Sequence, residues 1–175
     1  MAEGRYMVLD VESVGLHGEG FAFGFVVVDE NGSEIRTGYE ACPSETATGS
    51  DDGRAWIAEN LPYLPTTCAS PGEVRNRFWS AWEEELAKGA ILVVENGWPV
   101  EARFLAACVD NDPVARLAAG PFPLHEVSTA LLASGQDPMA EHGRKPEELP
   151  KHHPVADARQ SARLFVQCLA RKVPS

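Results

Sequence analysis

The chain has 175 residues, 44% hydrophobic and 23% charged, which is enough for one domain with a buried core and too apolar for wholesale disorder. Its 26 acidic and 15 basic side chains give a net charge of −11. That balance argues against a duplex-coating protein and against docking on an anionic membrane, because both leave a basic footprint.

Residues 5–12 read as a buried strand, and residues 21–29, strongly β-branched and aromatic, as a second. Asn31-Gly32 is a hairpin signal that turns the chain into a third strand from Ser33 to Glu40. The chain therefore opens as a three-strand antiparallel meander. Residues 42–69, rich in Pro, Thr, Ser and Gly, read as an irregular excursion with a short helix around Trp56 to Asn60. Ser70-Pro71-Gly72-Glu73 is a capping box with proline at the first helical position. Val74, Phe78, Trp82 and Leu86 follow at helical spacing, and Gly89 marks the stop. A short buried strand, Ile91 to Val94, precedes a helix from Pro99 to about Val109. Residues 110–123 read as a loop, and His125 to Ser134 as a short helix. Residues 135–153 form a polar loop. A final helix starts at Pro154, with Val155, Ala158, Ala162, Phe165, Val166 and Leu169 as its apolar stripe. The pattern predicts an α/β fold with a mixed sheet of about five strands and helices on both faces, as one domain over 1–175.

The charge is uneven along the chain. Residues 1–143 carry 8 basic and 23 acidic side chains, whereas residues 144–175 carry 7 and 3, giving an acidic body with a basic end. Cys42, Cys68, Cys108 and Cys168 form no C-x-x-C pair and no zinc-ligand spacing, which fits a reducing cytoplasm. Cys108 and Cys168 fall inside helical apolar patterns and read as buried free thiols. The N-terminus lacks the pattern of a cleavable signal, and no apolar stretch approaches membrane-spanning length. The expectation is a soluble, unprocessed, cytoplasmic protein.

Three places carry chemistry. Asp10 and Glu12 alternate at the end of the first strand, so both carboxylates share a face. Two acids at a buried strand end repel each other and lose hydration unless a cation neutralises them, and hard oxygen donors suit Mg²⁺ or Mn²⁺. A Glu12 turned to solvent is the alternative. Asp157 lies in the first turn of the last helix, where the helix dipole alone also favours an acid. His152, five residues earlier, stands where a loop histidine serves as a general base, and His153 beside it leaves that assignment open. Glu101 opens the helix after Pro99, with Glu95 and Asn96 as competing candidates.

Taken together these segments resemble the DEDDh-type 3′→5′ exonucleases, the ribonuclease T and proofreading-subunit group. Val-Leu-Asp10-Val-Glu12-Ser is similar to their first motif. His152-His-Pro-Val-Ala-Asp157 is similar to the third, H-x-x-x-x-D before a helix, and its spacing selects His152 over His153. Glu101-Ala-Arg-Phe-Leu resembles the middle motif, although that family has Asp where this chain has Glu101, and Asn where it has Trp98. The resemblance implies a ribonuclease-H-like fold and two Mg²⁺ or Mn²⁺ ions held by Asp10, Glu12, Glu101 and Asp157. It implies His152 as the base, and hydrolysis from the 3′ end of a single-stranded nucleic acid, RNA ahead of DNA. Ser13 and Leu16 then lie in the loop that grips the terminal nucleotide. Trp98 becomes a candidate for base stacking, and Lys151 for phosphate contact. Relatives in that group form homodimers, but no interface is legible in this sequence. Two other readings stay open: a catalytically impaired nucleic-acid-binding module of the same fold, and a phosphoesterase acting on nucleotides.

Overall fold

The strand β1 (Arg5–Ser13) is the axis on which the rest of the chain is arranged. This computed structural model describes residues 4–171. β1 pairs antiparallel with β2 (Gly20–Asp29), which pairs antiparallel with β3 (Glu34–Ala41). The turn between β2 and β3 is closed by the Asp29 carboxylate, which accepts from the N–H groups of Asn31 and Ser33 at 2.9 and 2.8 Å. On its other side β1 pairs parallel with β4 (Ile91–Val94), which pairs parallel with β5 (His125–Glu126). The sheet order is β3-β2-β1-β4-β5, a mixed five-stranded sheet with the expected antiparallel meander.

The helices are α1 (Asp51–Asn60), α2 (Pro71–Leu86), α3 (Ala102–Asp110), α4 (Pro113–Arg116), α5 (Val127–Ala133) and α6 (Pro154–Ala170). Strand alternation sorts them into two layers. Met7, Leu9 and Val11 of β1 face α2 and α3 through Phe78, Trp79, Trp82, Phe104 and Cys108. Val8, with Val26 and Val93, faces α5 and α6 through Val127, Leu131, Ala158 and Phe165. Asp10 and Glu12 continue the Val8 row, so both fall on the α6 side of the sheet.

That placement depends on Gly24, the β2 partner of Asp10. A Cβ on Gly24 would lie 2.3 Å from the backbone nitrogen of Val155. Only a bare backbone lets the first turn of α6 rest directly on the sheet. On the opposite layer, the fully buried Glu85 of α2 gathers Arg5 (2.6 Å), Arg36 (2.9 Å) and Lys88 (2.9 Å). Burial works against its ionisation, but hydrogen bonds from Lys88, Arg36 and Arg5 outweigh it and hold Glu85 down to about 2.

Several elements differ from the sequence reading. The helix around Trp56 begins earlier, at Asp51, because Ser50 caps it by accepting from Gly53 N–H at 3.0 Å. Loop 110–123 contains α4 and a tight turn, Leu117–Ala119. His125 starts not a helix but the two-residue β5. The chain from Gly97 to Glu101 makes one wide turn, in which Trp98 is extended (φ −115°, ψ 138°), before α3 begins. On α6 the stripe is rotated: Leu164 and Cys168 are buried, whereas Leu169 is exposed. All four cysteines are free and buried. Among the described residues, no helix is long and apolar enough to cross a membrane.

Candidate active site

The carboxyl ends of β1 and β4 lie side by side, Leu9 opposite Val94. Chain segments leaving such ends converge on a common crevice. From β1 come Asp10 and Glu12. From the end of β4 comes Glu95, and from the turn before α3 comes Glu101. The Glu126 carboxylate pins that turn by accepting from Gly97 N–H at 2.7 Å. From the first turn of α6 comes Asp157. Glu12, Glu101 and Asp157 are each 8% exposed, and Asp10 is half-buried. The structure thus brings together all four carboxylates singled out in the sequence. Glu95 stands at the rim as a fifth, more exposed one.

The electrostatics follow from this crowding. Burial, then the charges of Glu12, Asp157, Glu101 and Glu95, hold Asp10 well above the ordinary carboxylate range. Burial, with Asp157 and Glu101 nearby, pushes Glu12 up to about 8. Burial pushes Glu101 up to about 7, although the backbone N–H groups of Glu101 itself and of Val11 pull the other way. Glu95 is raised by burial and by Asp157, against the positive charges of Arg144, His142 and Lys151. These carboxyls hold protons at a pH where exposed ones have lost them, as expected of acids packed together without enough positive charge.

Of the two histidines, His152 enters the cluster. One of its ring nitrogens and single oxygens of Glu12 and Asp157 all lie within 4.8 Å of one another, the one such metal-capable group among the described residues. His153 instead stacks on Tyr39, with ring centroids 5.5 Å apart, and begins α6. His152 has φ 63°, a left-handed conformation that costs an L-residue about 1–2 kcal/mol. Two contacts hold it there. Its N–H donates to Asp157 Oδ2 at 3.1 Å, and its ring meets the Trp56 ring edge-on at 5.1 Å. Burial, with Lys151 and Arg144 nearby, lowers the His152 pKa, while Asp157 opposes that shift.

The remaining sequence-selected residues lie outside the metal-capable group. The Ser13 hydroxyl donates to the Gly15 carbonyl at 2.8 Å and so shapes the loop after β1. Leu16 in that loop and Trp98 in the turn before α3 are 66% and 72% exposed. Lys151 is exposed immediately before His152. Sequence reasoning did not find the ion pair of Arg144 with Asp157, at 2.5 Å, nor the packing of Trp56 on His152. The first has no local signal. The second joins two residues 96 positions apart and likewise has no local signal.

No protein-family model and no curated protein matches the chain. Its likeness is to solved structures. It is similar to exonuclease I from Methylocaldum szegediense (TM-score 0.67, 13% identity, over 97% of this chain and 41% of that one). It is also similar to the zinc-bound form of the E. coli exonuclease I–single-stranded DNA complex (TM-score 0.61, 14% identity, 97% and 41%). A product-bound exonuclease I gives a TM-score of 0.59 at 12% identity over 96% of this chain and 43% of that one. The chain therefore spans about two fifths of the length of these structures, 41–43%. At such low identity the likeness establishes the fold alone: the mixed five-stranded sheet with its flanking helices is the arrangement of those structures.

Proposed function

We propose that the chain is a metal-dependent 3′→5′ exonuclease acting on single-stranded nucleic acid. The observation that carries this reading is the gathering of Glu12, Asp157 and His152 into one metal-capable group at the strand ends, with Asp10 and Glu101 near enough for the charges of these acids to act on one another. The fold shared with exonuclease I and the order of the three motifs support it. The donor set fits divalent cations: buried carboxyls held above their ordinary range by mutual repulsion are relieved when a cation lies among them, and hard oxygens suit Mg²⁺ or Mn²⁺. Asp10, Glu12, Glu101 and Asp157 would hold two such ions, which when bound supply charge neutralisation at a phosphodiester and make water a stronger nucleophile.

The chain's own residues do the rest. His152 takes a proton from the attacking water at its ring nitrogen; the Trp56 ring packs against that imidazole and the Asp157 carboxylate holds the His152 backbone N–H. The water oxygen forms a bond to phosphorus, the bond to the 3′ oxygen of the preceding nucleotide breaks, that oxygen takes a proton from solvent, and a mononucleotide leaves a strand one residue shorter. Ser13 and Leu16 in the loop after β1 and Trp98 in the turn before α3 receive the terminal nucleotides, Leu16 and Trp98 with exposed apolar surface for the bases. Lys151 contacts a phosphate. Glu101 serves in place of the shorter acid of the DEDDh motif. The sequence reading places RNA ahead of DNA, so the test carries both.

That test is a 5′-labelled oligonucleotide, RNA and DNA in parallel, with Mg²⁺ or Mn²⁺. The expected result is a ladder shortening one nucleotide at a time, abolished by chelation. Release of phosphate from small nucleotide esters with oligonucleotides intact would make the protein a nucleotide phosphoesterase. Strand binding without cleavage, and without stabilisation by Mn²⁺, would make it an impaired binding module.

A further inference from the structure

We infer that Arg144 is a positioning residue for Asp157, fixing the carboxylate at which the site takes its cations. The inference rests on the metal-dependent reading above. Arg144 Nη1 donates to Asp157 Oδ1 at 2.5 Å and to the Glu148 carbonyl at 3.0 Å. The backbone around it is fastened to α6. Gln160 Nε2 donates to the His142 carbonyl at 2.7 Å, and Arg163 Nη2 to the Gly143 carbonyl at 2.7 Å. The buried Glu148 carboxylate accepts from Lys145 N–H at 2.9 Å, and from Arg163 Nε at 2.5 Å and Nη2 at 2.8 Å. Asp157, Gln160 and Arg163 are three residues apart and so form one stripe along the helix. The segment 142–148 is laid along that stripe and delivers Arg144 to its first member.

The other end of the same loop supplies His152 N–H to Asp157 Oδ2. Both carboxylate oxygens are thus held, one by each end of the loop. Each oxygen has two lone pairs, so one on each stays free for a cation. Partners of this kind orient ligating carboxylates and sharpen metal affinity. The rival role for Arg144 is that of a resident cation competing with metal for Asp157. A competitor must swing away, whereas Arg144 is tethered by backbone bonds on both sides and by the Glu148 carbonyl.

The two roles give opposite results in a Mn²⁺ titration of the full chain, read by calorimetry or by the spectrum of free Mn²⁺. Removing a nearby positive charge by itself tightens cation binding. If Arg144 positions Asp157, Arg144→Gln instead weakens Mn²⁺ binding by about 10–100-fold. Arg144→Lys keeps the charge and places one donor nitrogen nearby, so it is expected to fall between wild type and Arg144→Gln. Arg103→Gln, which removes the same charge from an exposed position on α3, is expected to leave affinity unchanged. Unchanged or tighter binding by Arg144→Gln overturns the inference. If that variant does not fold, Arg144→Lys binding as tightly as wild type, or more tightly, overturns it. A wild-type protein that binds no Mn²⁺ fails the metal-dependent reading and this inference with it. Normal wild-type binding with an indifferent Arg144→Gln fails the inference alone.

Discussion

Replacing Glu12 with glutamine should make the metal-free protein more stable, although it removes a carboxyl from the heart of the site. Burial and the neighbouring Asp157 and Glu101 hold the Glu12 carboxyl at about 8, against an ordinary value of 4.5. At pH 7 the unfolded chain gains from ionising this group and the folded chain does not, a difference of about 3 kcal/mol at roughly 1.4 kcal/mol per pH unit. Glutamine removes that penalty. A buried amide that finds incomplete hydrogen bonding returns at least about 1 kcal/mol of it. The expected net gain is about 1–2 kcal/mol, or about 2–8 °C in Tm for a chain of this size. The sign of the pH dependence follows from the same linkage. A folded state that holds the proton more tightly loses stability as pH rises from about 4.5 to about 8. Thermal unfolding in a chelating buffer between pH 5.5 and 8.5 measures both. Wild type is expected to lose Tm across that range and Glu12→Gln to lose less. A Glu12→Gln protein less stable than wild type at pH 7, with a wild-type Tm that is flat or rising with pH, would refute the reasoning.

Other consequences concern the scaffold and the base. Gly24→Ala places a Cβ against the Val155 backbone nitrogen, so it is expected to lift the start of α6 off the sheet. The cost is about 1–3 kcal/mol of stability and a loss of cleavage of about 100-fold from displacement of Asp157 by about 1 Å, read by unfolding and single-turnover assays. Glu85→Gln leaves Arg5, Arg36 and Lys88 facing a neutral buried group and is expected to cost about 3–5 kcal/mol in denaturant unfolding. In wild type the contribution of Glu85 is fully present above about pH 4.5 and disappears as pH falls towards 2. His152→Ala is expected to lower the cleavage rate by about 100-fold or more, whereas His153→Ala, which loses only a stack on Tyr39, is expected to stay within about threefold of wild type by the same assay.

What the sequence disclosed and what it hid have physical causes. β1, β2, α2 and α6 were legible because each buries one face or stripe, and hydrophobic period reports burial. Asp10, Glu12 and Asp157 were legible because their spacing is local: two residues on a strand, and five residues between His152 and Asp157 across one helix start. β5 was not, since two residues become a strand only through the neighbouring β4. The first turn of α1 was missed because its apolar period is weak and its cap carries the signal. Arg144 and Asp157 are 13 residues apart, and Glu148 and Arg163 are 15 apart. Such pairs are decided by how a loop lies along a helix, and no periodicity encodes that. Trp56 and His152 meet only after the sheet and α6 have come together. The choice between Glu95 and Glu101 was open in sequence because both follow β4. In the structure Glu101 is buried while Glu95 is exposed, and both belong to the same electrostatic cluster.

The central claim is that this carboxylate cluster cuts the 3′-terminal phosphodiester, and Asp157→Ala tests it most directly. Wild type and variant are compared on one 5′-labelled single-stranded oligonucleotide with saturating Mn²⁺, after unfolding experiments have shown the variant folded. Wild type should give a single-nucleotide ladder and Asp157→Ala should leave the strand at full length. A variant that cleaves at the wild-type rate would contradict the assignment of the site.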